Sequence, residues 1–532
     1  MLLPTDTLDD QILEAGTNGF VALDETTKAT LLADTALQAA KDSICRTDGI
    51  IGPRPGLRHC GRAEAHGLAN GFDTQAALFF GVGGYQALLH MRAGSLSVIP
   101  DLEQGTPVNL ARSYPTGPMP AAALVDRAYF AHPEGGLIWA QYASGWTTGT
   151  VTEWADSTGM PVFSALCAHG YRLLAAKAGT DEVYASTLLG GSVPADWSQT
   201  TQIRVGKGNS DPLVALLSGQ DSYLLALKSS SVWRVDTSAA SAGDWSTGQL
   251  TDKCGCAAAR SVVQIGGDTL FLARAGVISL SGLATVDALS EVSVISAPID
   301  ASIRRINWPA AGRVVAEAWG QYYLLALPLD ADAAPRDVFA WDVVRRAWVG
   351  HWRIDLPDAA AATPGIGAMV ATTFGNIPEL VVLDNSGHVR RFEQTSVVDE
   401  LDRVAGIATT QDVVQDLRTK SWDFGAPDNF KSLVNLVVDF WDSSSATAQI
   451  YLVRDGKDPE LVAGPLRATA NPQFPLGFPL SFQRDKALSR SFSLRRFGRA
   501  REVSVRIAET TGALALRRVQ VSAFLDSAEV ER

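Results

Sequence analysis

Tyr322-Tyr323-Leu324-Leu325-Ala326-Leu327 and, after a turn, Val338-Phe339-Ala340-Trp341-Asp342 with Arg346-Ala347-Trp348 beyond it form the phrase on which the reading of this chain rests. An unbroken aromatic and aliphatic run of this length, closed off by turn residues, reads as a strand buried on both faces. The phrase recurs at Leu78-Phe79-Phe80, Tyr129-Phe130-Ala131, Tyr171-Arg172-Leu173-Leu174, Tyr223-Leu224-Leu225-Ala226-Leu227, Leu270-Phe271-Leu272-Ala273 and Leu380-Val381-Val382-Leu383. The spacing of roughly 50 residues is that of a repeat whose unit is one four-stranded blade. These anchors predict an all-β protein built on a six- or seven-bladed β-propeller. Six remains open because the first anchor can belong to the segment before the repeats.

Second strands follow several anchors after short turns, at Val232-Trp233-Arg234-Val235-Asp236, Val277-Ile278-Ser279-Leu280 and His388-Val389-Arg390-Arg391-Phe392. Blade ends carry Asp196-Trp197-Ser198 and Asp244-Trp245-Ser246. The stretch from Phe339 to Trp348 resembles a kelch-type blade.

At 532 residues the chain has room for two or three domains. Residues 1–75 stand apart as an N-terminal helix and Gly/Pro-rich arm. Ala, Leu, Lys and Gln dominate Thr26 to Asp42, where Leu31, Leu32, Leu37 and Ala40 fall on a rough helical period. The loop from Thr47 to Leu57 follows. Residues 76–400 hold the propeller, with 399–410 as a connector. Residues 401–532 carry longer alternating strands, at Ser432 to Trp441, Ala448 to Arg454, Arg490 to Phe497, Glu502 to Glu509 and Leu514 to Phe524, and predict a β-sandwich. The proline-rich run from Asn471 to Pro479 is excluded from a central strand and reads as a surface loop exposing Phe474 and Phe478.

The N-terminus lacks the basic and apolar regions of a secretory signal, and no apolar run approaches the ~18 residues of a membrane span. A soluble protein made in a cytoplasm is expected. Five cysteines, Cys45, Cys60, Cys167, Cys254 and Cys256, lack the spacing of a zinc site and read as reduced structural thiols. Net charge is −12, divided unevenly: residues 401–532 hold 18 Lys and Arg against 16 Asp and Glu, so the excess acid lies before them. An acidic surface argues against nucleic-acid binding, which needs phosphate contacts.

No nucleophile elbow, P-loop or paired-histidine motif occurs. Gly206-Lys207-Gly208 is a turn, and Leu329-Asp330-Ala331-Asp332-Ala333 begins like a calcium loop but has Ala334 where a third ligand is needed. His59 and His66 fall in a glycine-rich loop. The expectation is no enzyme, no cofactor, no metal and no catalytic residue. The strongest charge cluster is Arg484, Lys486, Arg490, Arg495, Arg496, Arg499, Arg501 and Arg506. It reads either as the solvated face of two strands, with Phe492, Leu494 and Phe497 near the other face, or as a face docking an acidic neighbouring copy.

Four passages in order resemble one family. Asp48-Gly49-Ile50-Ile51-Gly52-Pro53-Arg54-Pro55-Gly56-Leu57 is similar to an early passage of bacteriophage tail propeller proteins. The run from Lys253-Cys254-Gly255-Cys256 through Ser261-Val262-Val263 to Leu270-Phe271-Leu272 resembles one of their blade openings, and Ala275-Gly276-Val277 their next turn. Lys420-Ser421-Trp422-Asp423-Phe424-Gly425 with Lys431 resembles the start of their C-terminal sandwich. The family is the tail tubular protein B, or nozzle, of short-tailed phages, with the related packaged-DNA stabilisation protein. This chain is shorter than the large nozzle proteins. The resemblance implies a virion tail protein forming a six-copy ring below the portal and adaptor. Such a ring continues the DNA channel, retains the packaged genome without sequence-specific contacts and anchors tail fibres or spikes. Arg54, Pro55 and Gly56 are then expected at a structural corner near the ring interface, where Gly56→Val blocks assembly and leaves the propeller folded. The alternative is a tail-tip propeller that binds or cleaves host glycans, with Trp146 and Trp154 as its platform.

Overall fold

The computed structural model describes the chain apart from residues 1–11, 61–73, 83–84, 93–94, 101–107, 112–118, 152–153, 155–158, 189–196, 198–200, 209–210, 220–221, 282–290, 355–364, 373–378, 386–388, 394–395, 405–406, 442–445, 468–486 and 527–532. Arg484, Lys486, Phe474, Phe478 and His66 lie outside the described residues.

The protein is all-β. Six free-standing four-stranded sheets form blades, and a seventh four-strand unit, over 315–353, is continuous with a C-terminal sheet. The innermost strands are Thr74–Val82, Ala121–Leu124, Phe163–His169, Leu213–Gly219, Val263–Ile265, Val315–Trp319 and Ile366–Thr372. They neighbour one another in chain order and the last returns to the first, with the turn Ala259–Ser261 bridging the fourth to the fifth. The ring is a β-propeller. Each apolar anchor falls in one blade.

The anchors are legible for a physical reason. In a propeller, second strands are covered on both faces by neighbouring blades. Tyr223–Lys228 is buried at every position and Tyr322–Leu327 at all but the first, and the third strand Asp337–Asp342 of the same unit is buried throughout as well. Such strands need a continuous apolar run rather than alternation. Leu78 and Phe80 belong to an innermost strand, and Tyr171 sits in a turn with a positive φ, 71% exposed. Gly266-Gly267 has positive φ at both positions, as a two-residue type I′ hairpin requires.

The final blade is closed by the N-terminal region. Gly56–His59 supplies its outer strand, pairing antiparallel with Val389–Glu393 in the register Phe392↔Leu57. Nearby segments build the sandwich too. Ile12–Thr17, Ser43–Cys45 and Ile51–Pro53 join Leu516–Leu525, Lys431–Trp441 and Ala487–Ser493 in one sheet. Ala36–Lys41 lies between Ala347–Arg353 of the seventh unit and Asp416–Thr419 of the other sandwich sheet, which continues through Val503–Thr511, Thr447–Arg454 and Glu460–Arg467. Leu436, Val438, Phe440, Val519 and Val521 pack with Ile450, Leu452, Val505 and Ile507 in an apolar core that runs on to Phe339, Trp348 and Trp352.

Two expectations are corrected. The helix expected within Thr26 to Asp42 is absent: an Asp24 turn leads through irregular chain to the strand Ala36–Lys41. Leu31, a member of the apolar period, is 75% exposed. Strand partners on both sides of 36–41 override a helical propensity worth only tenths of a kcal/mol per residue. Second, residues 398–412 are not a plain connector but a β-hairpin, Val398–Val404 with Ile407–Asp412.

Gly56 also has a different role from the one expected. A Cβ there would lie 2.1 Å from the carbonyl oxygen of Val398, so the strand closing the propeller admits no side chain at this point. Gly56→Val is expected to destabilise the fold itself by about 3 kcal/mol, read as a shift of the urea midpoint. An unchanged midpoint would show that the closing strand is not held against the hairpin.

Candidate functional site

A buried, heavily hydrogen-bonded polar site lies where the closing strand, the hairpin, the seventh unit and the sandwich meet. Arg54 is 3% exposed at its centre. Its Nη1 and Nη2 donate to Asp399 Oδ1 and Oδ2 at 2.9 and 2.6 Å, and its Nε donates to Asp42 Oδ1 at 2.9 Å. Nη1 also donates to the Pro55 carbonyl. A planar guanidinium forks onto a carboxylate in this way, where a lysine would make a single point contact. Burial opposes the charge on Arg54, but Asp399 and then Asp42 hold its pKa above the ordinary value. Burial pushes the Asp42 carboxyl up despite the opposing pull of Arg54.

Both acids also bind backbone. Asp399 Oδ1 accepts from Leu57 N at 2.9 Å, and Glu400 Oε2 accepts from His59 N at 3.0 Å. The hairpin thus satisfies amides along the closing strand. Asp42 Oδ1 accepts from Arg353 N, and Asp42 N donates to the His351 carbonyl. Trp352 Nε1 donates to the Ser43 carbonyl at 2.8 Å. Arg54, Pro55 and Gly56 therefore form an internal corner; the Arg54 side chain is spent within its own chain.

His351 forms the neighbouring contact. Nε2 lies 2.8 Å from Asp337 Oδ1 and Nδ1 3.3 Å from Glu25 Oε1, while the ring stacks on Phe339 at 4.4 Å. Glu25 Oε2 also accepts from Ser302 Oγ.

The other resemblance passages are joints as well. Cys256 N donates to the Lys228 carbonyl, tying one blade to the next. Ser261 Oγ donates to the Ala258 carbonyl and accepts from Leu272 N, while Tyr323 Oη donates to the Ser261 carbonyl from the following blade. Ser296 Oγ accepts from Val277 N. Lys420 pairs with Asp34, Ser421 N donates to the Ala29 carbonyl, and Trp422 bridges Val503. Buried Lys431 donates to the Arg501 carbonyl at 2.6 Å.

Arg490, Arg495, Arg496, Arg499 and Arg501 are all exposed. Arg496 donates to the Leu461 and Val462 carbonyls, Arg499 pairs with Asp526, and Arg501 covers the Phe430 ring. Arg506 stands apart, paired with Asp416. One detail differs from the alternation expected. Arg490 pairs with Val438, between the pairs Leu436↔Phe492 and Phe440↔Leu488, so it shares the apolar face and escapes to water only because Ala487–Ser493 is an edge strand. An inward-facing charge is one of the devices that keep an edge from pairing at random.

Among the described residues no group of three metal-capable side chains gathers. Asp330 pairs with Arg305, and Asp332 with Arg336 and Arg353. The five cysteines are free thiols, and burial pushes Cys45, Cys167 and Cys256 up to about 12. Trp146 packs against Phe80, Tyr85 and Tyr142, and Trp154 against Phe163, Tyr184 and Trp197, both in clusters between blades. No helix among the described residues is long and apolar enough to cross a membrane.

No protein-family model matches the chain, and no curated protein matches it. Solved structures with partial likeness include the computationally designed protein Ika8, at 10% identity, covering 63% of this chain and 99% of that one with a TM-score of 0.36. BBS1N, solved in complex with ARL6DN, is 8% identical over 64% of this chain and 98% of that one, with a TM-score of 0.41. PorZ, a bacterial surface component of the type-IX secretion system of Porphyromonas gingivalis, is 10% identical over 67% of this chain and 39% of that one, with a TM-score of 0.38. Likeness at this level carries no argument about function.

The His351 contact makes a pH prediction. Burial would lower its pKa, but hydrogen bonds to Asp337 and Glu25, with their charges, raise it to about 9 from 6.5. A raised folded pKa gives stability that is whole below pH 6.5 and is lost as the pH rises through 9. Asp337 runs the other way. Burial pushes its carboxyl up, yet the His351 bond and the Arg353 charge hold it below 3.8, so its share is lost only in acid. Glu509, raised to about 7 mainly by burial, adds a slope of its own in the alkaline direction. That slope is common to wild type and His351→Gln and cancels in their difference. Urea midpoints measured from pH 6.5 to 9 should fall more steeply for wild type than for His351→Gln; parallel curves would contradict the contact.

Proposed function

We propose that this chain is a structural component of a bacteriophage tail. It is a ring-forming nozzle protein, in six copies below the portal and adaptor, that continues the DNA channel, retains the packaged genome and anchors tail fibres. The observation that carries the reading is that every passage similar to that family is a joint: the Arg54 corner, the Cys256–Ser261 seam between blades and the Lys420–Lys431 link into the sandwich. Joints of this kind suit a part that bears load. The acidic balance before residue 401 also fits, because a wall that makes few favourable phosphate contacts lets DNA slide.

The tryptophans named for the glycan-binding reading, Trp146 and Trp154, are half-buried in aromatic clusters, which favours the structural reading over it. Cryo-electron microscopy of virions carrying this chain tests the proposal. Six copies around an axial channel below the portal are expected. Density only at a peripheral tip, or none, overturns the reading.

A further inference from the structure

Of the sheet edges left open among the described residues, which include the outer strands of several blades and Glu460–Arg467, two stand out by their charge. One is Ile407–Asp412, the outer strand of a hairpin that forms a two-stranded sheet by itself. The other is Ala487–Ser493, the last strand of its sandwich sheet. An isolated hairpin is marginal in water, yet this one is rooted firmly. Asp399 grips Arg54, Glu400 accepts from His59 N, and Ser396 accepts from Gly56 N. Its free strand shows Thr409, Thr410, Gln411 and Asp412 to solvent. A firmly rooted, polar strand with one open edge is fit to receive another strand.

The charges of the two edges are opposite. Residues 487–501 carry five arginines and no acid, whereas residues 398–412 carry four carboxylates and one arginine. Asp399 is paired with Arg54 at the hairpin root and Glu400 accepts from His59 N there, while Asp412, at the end of the free strand, accepts from Gly512 N and makes no ion pair with it. Among the described residues Arg490 and Arg495 make no ion pair. Like edges repel: two arginine edges oppose each other, and so do two hairpins. Between these two edges, the pairing that charge favours is hairpin against arginine edge.

We propose that the hairpin strand Ile407–Asp412 of one copy pairs with the arginine-flanked edge Ala487–Ser493 of a second copy of this chain. Because the two edges differ, the contact is head-to-tail and propagates round a ring. The inference deepens the tail-ring reading by naming the surfaces that join its copies.

The test is the mass of the purified full-length chain in solution, by light scattering after size exclusion, at rising protein concentration and at low and high salt. Wild type should exceed monomer mass as concentration rises and return toward monomer in high salt. The double variant Arg490→Glu/Arg495→Glu should stay monomeric, as should Thr410→Lys/Gln411→Lys, with circular dichroism unchanged in each. The chain carrying all four changes restores opposite charges with the signs exchanged and should associate again. Wild type that stays monomeric, double variants that associate like wild type, or a fourfold variant that fails to regain mass each overturns the pairing. The tail reading is judged separately: six copies in the virion with a different contact between them would leave it standing and remove only this interface.

Discussion

One buried guanidinium holds two architectures together. Arg54 lies between Asp42, on the segment that enters the sandwich, and Asp399, on the hairpin that leaves the propeller. Removing one partner from such a set leaves an uncompensated charge in the interior, at a cost of about 3–5 kcal/mol in comparable cases. The same carboxylates also bind the backbone at Leu57 and Arg353. The corner therefore fixes chain direction, blade closure and the placing of the sandwich at once.

Much follows from that constraint. A propeller whose last blade draws its outer strand from the N-terminal region cannot open without releasing that region. Here the released region would also take strands from both sandwich sheets, including Ala36–Lys41, which bridges the seventh unit and the sandwich. The apolar core is correspondingly continuous from Leu57 and Phe392 to Leu436 and Val505. The parts of such a body are interleaved rather than linked by a tether. The residues that stand out in the sequence are engaged in the joints between those parts, and that is the ground for reading the protein as a scaffold.

The propeller was legible because strands covered on both faces demand unbroken apolar runs, and Tyr322–Leu327 or Leu270-Phe271-Leu272 are conspicuous in a linear sequence. The sandwich strands were legible from alternation, as in Lys431–Trp441, where Leu436, Val438 and Phe440 turn inward. What failed was whatever depended on distant partners. Ala36–Lys41 has the composition of a helix, and apart from the two-residue strand Ala22–Leu23 its strand neighbours lie more than 300 residues away in sequence. The Arg54-Pro55-Gly56 corner was visible from its prolines and glycines, but Asp399 is 345 positions along the chain and nothing local points to it. The inward face of Arg490 was missed because an edge strand lets a charge occupy an apolar register and still reach water.

Native-state hydrogen exchange, resolved by peptide, tests most directly whether the N-terminal region closes the molecule. The account predicts that the amides of Gly56–His59 and Ala36–Lys41 exchange only through global opening, with the same protection as the propeller strand Tyr322–Leu327. Fast exchange at Gly56–His59 and Ala36–Lys41 while Tyr322–Leu327 stays protected would contradict it, showing a propeller and a sandwich that stand without the closing strand.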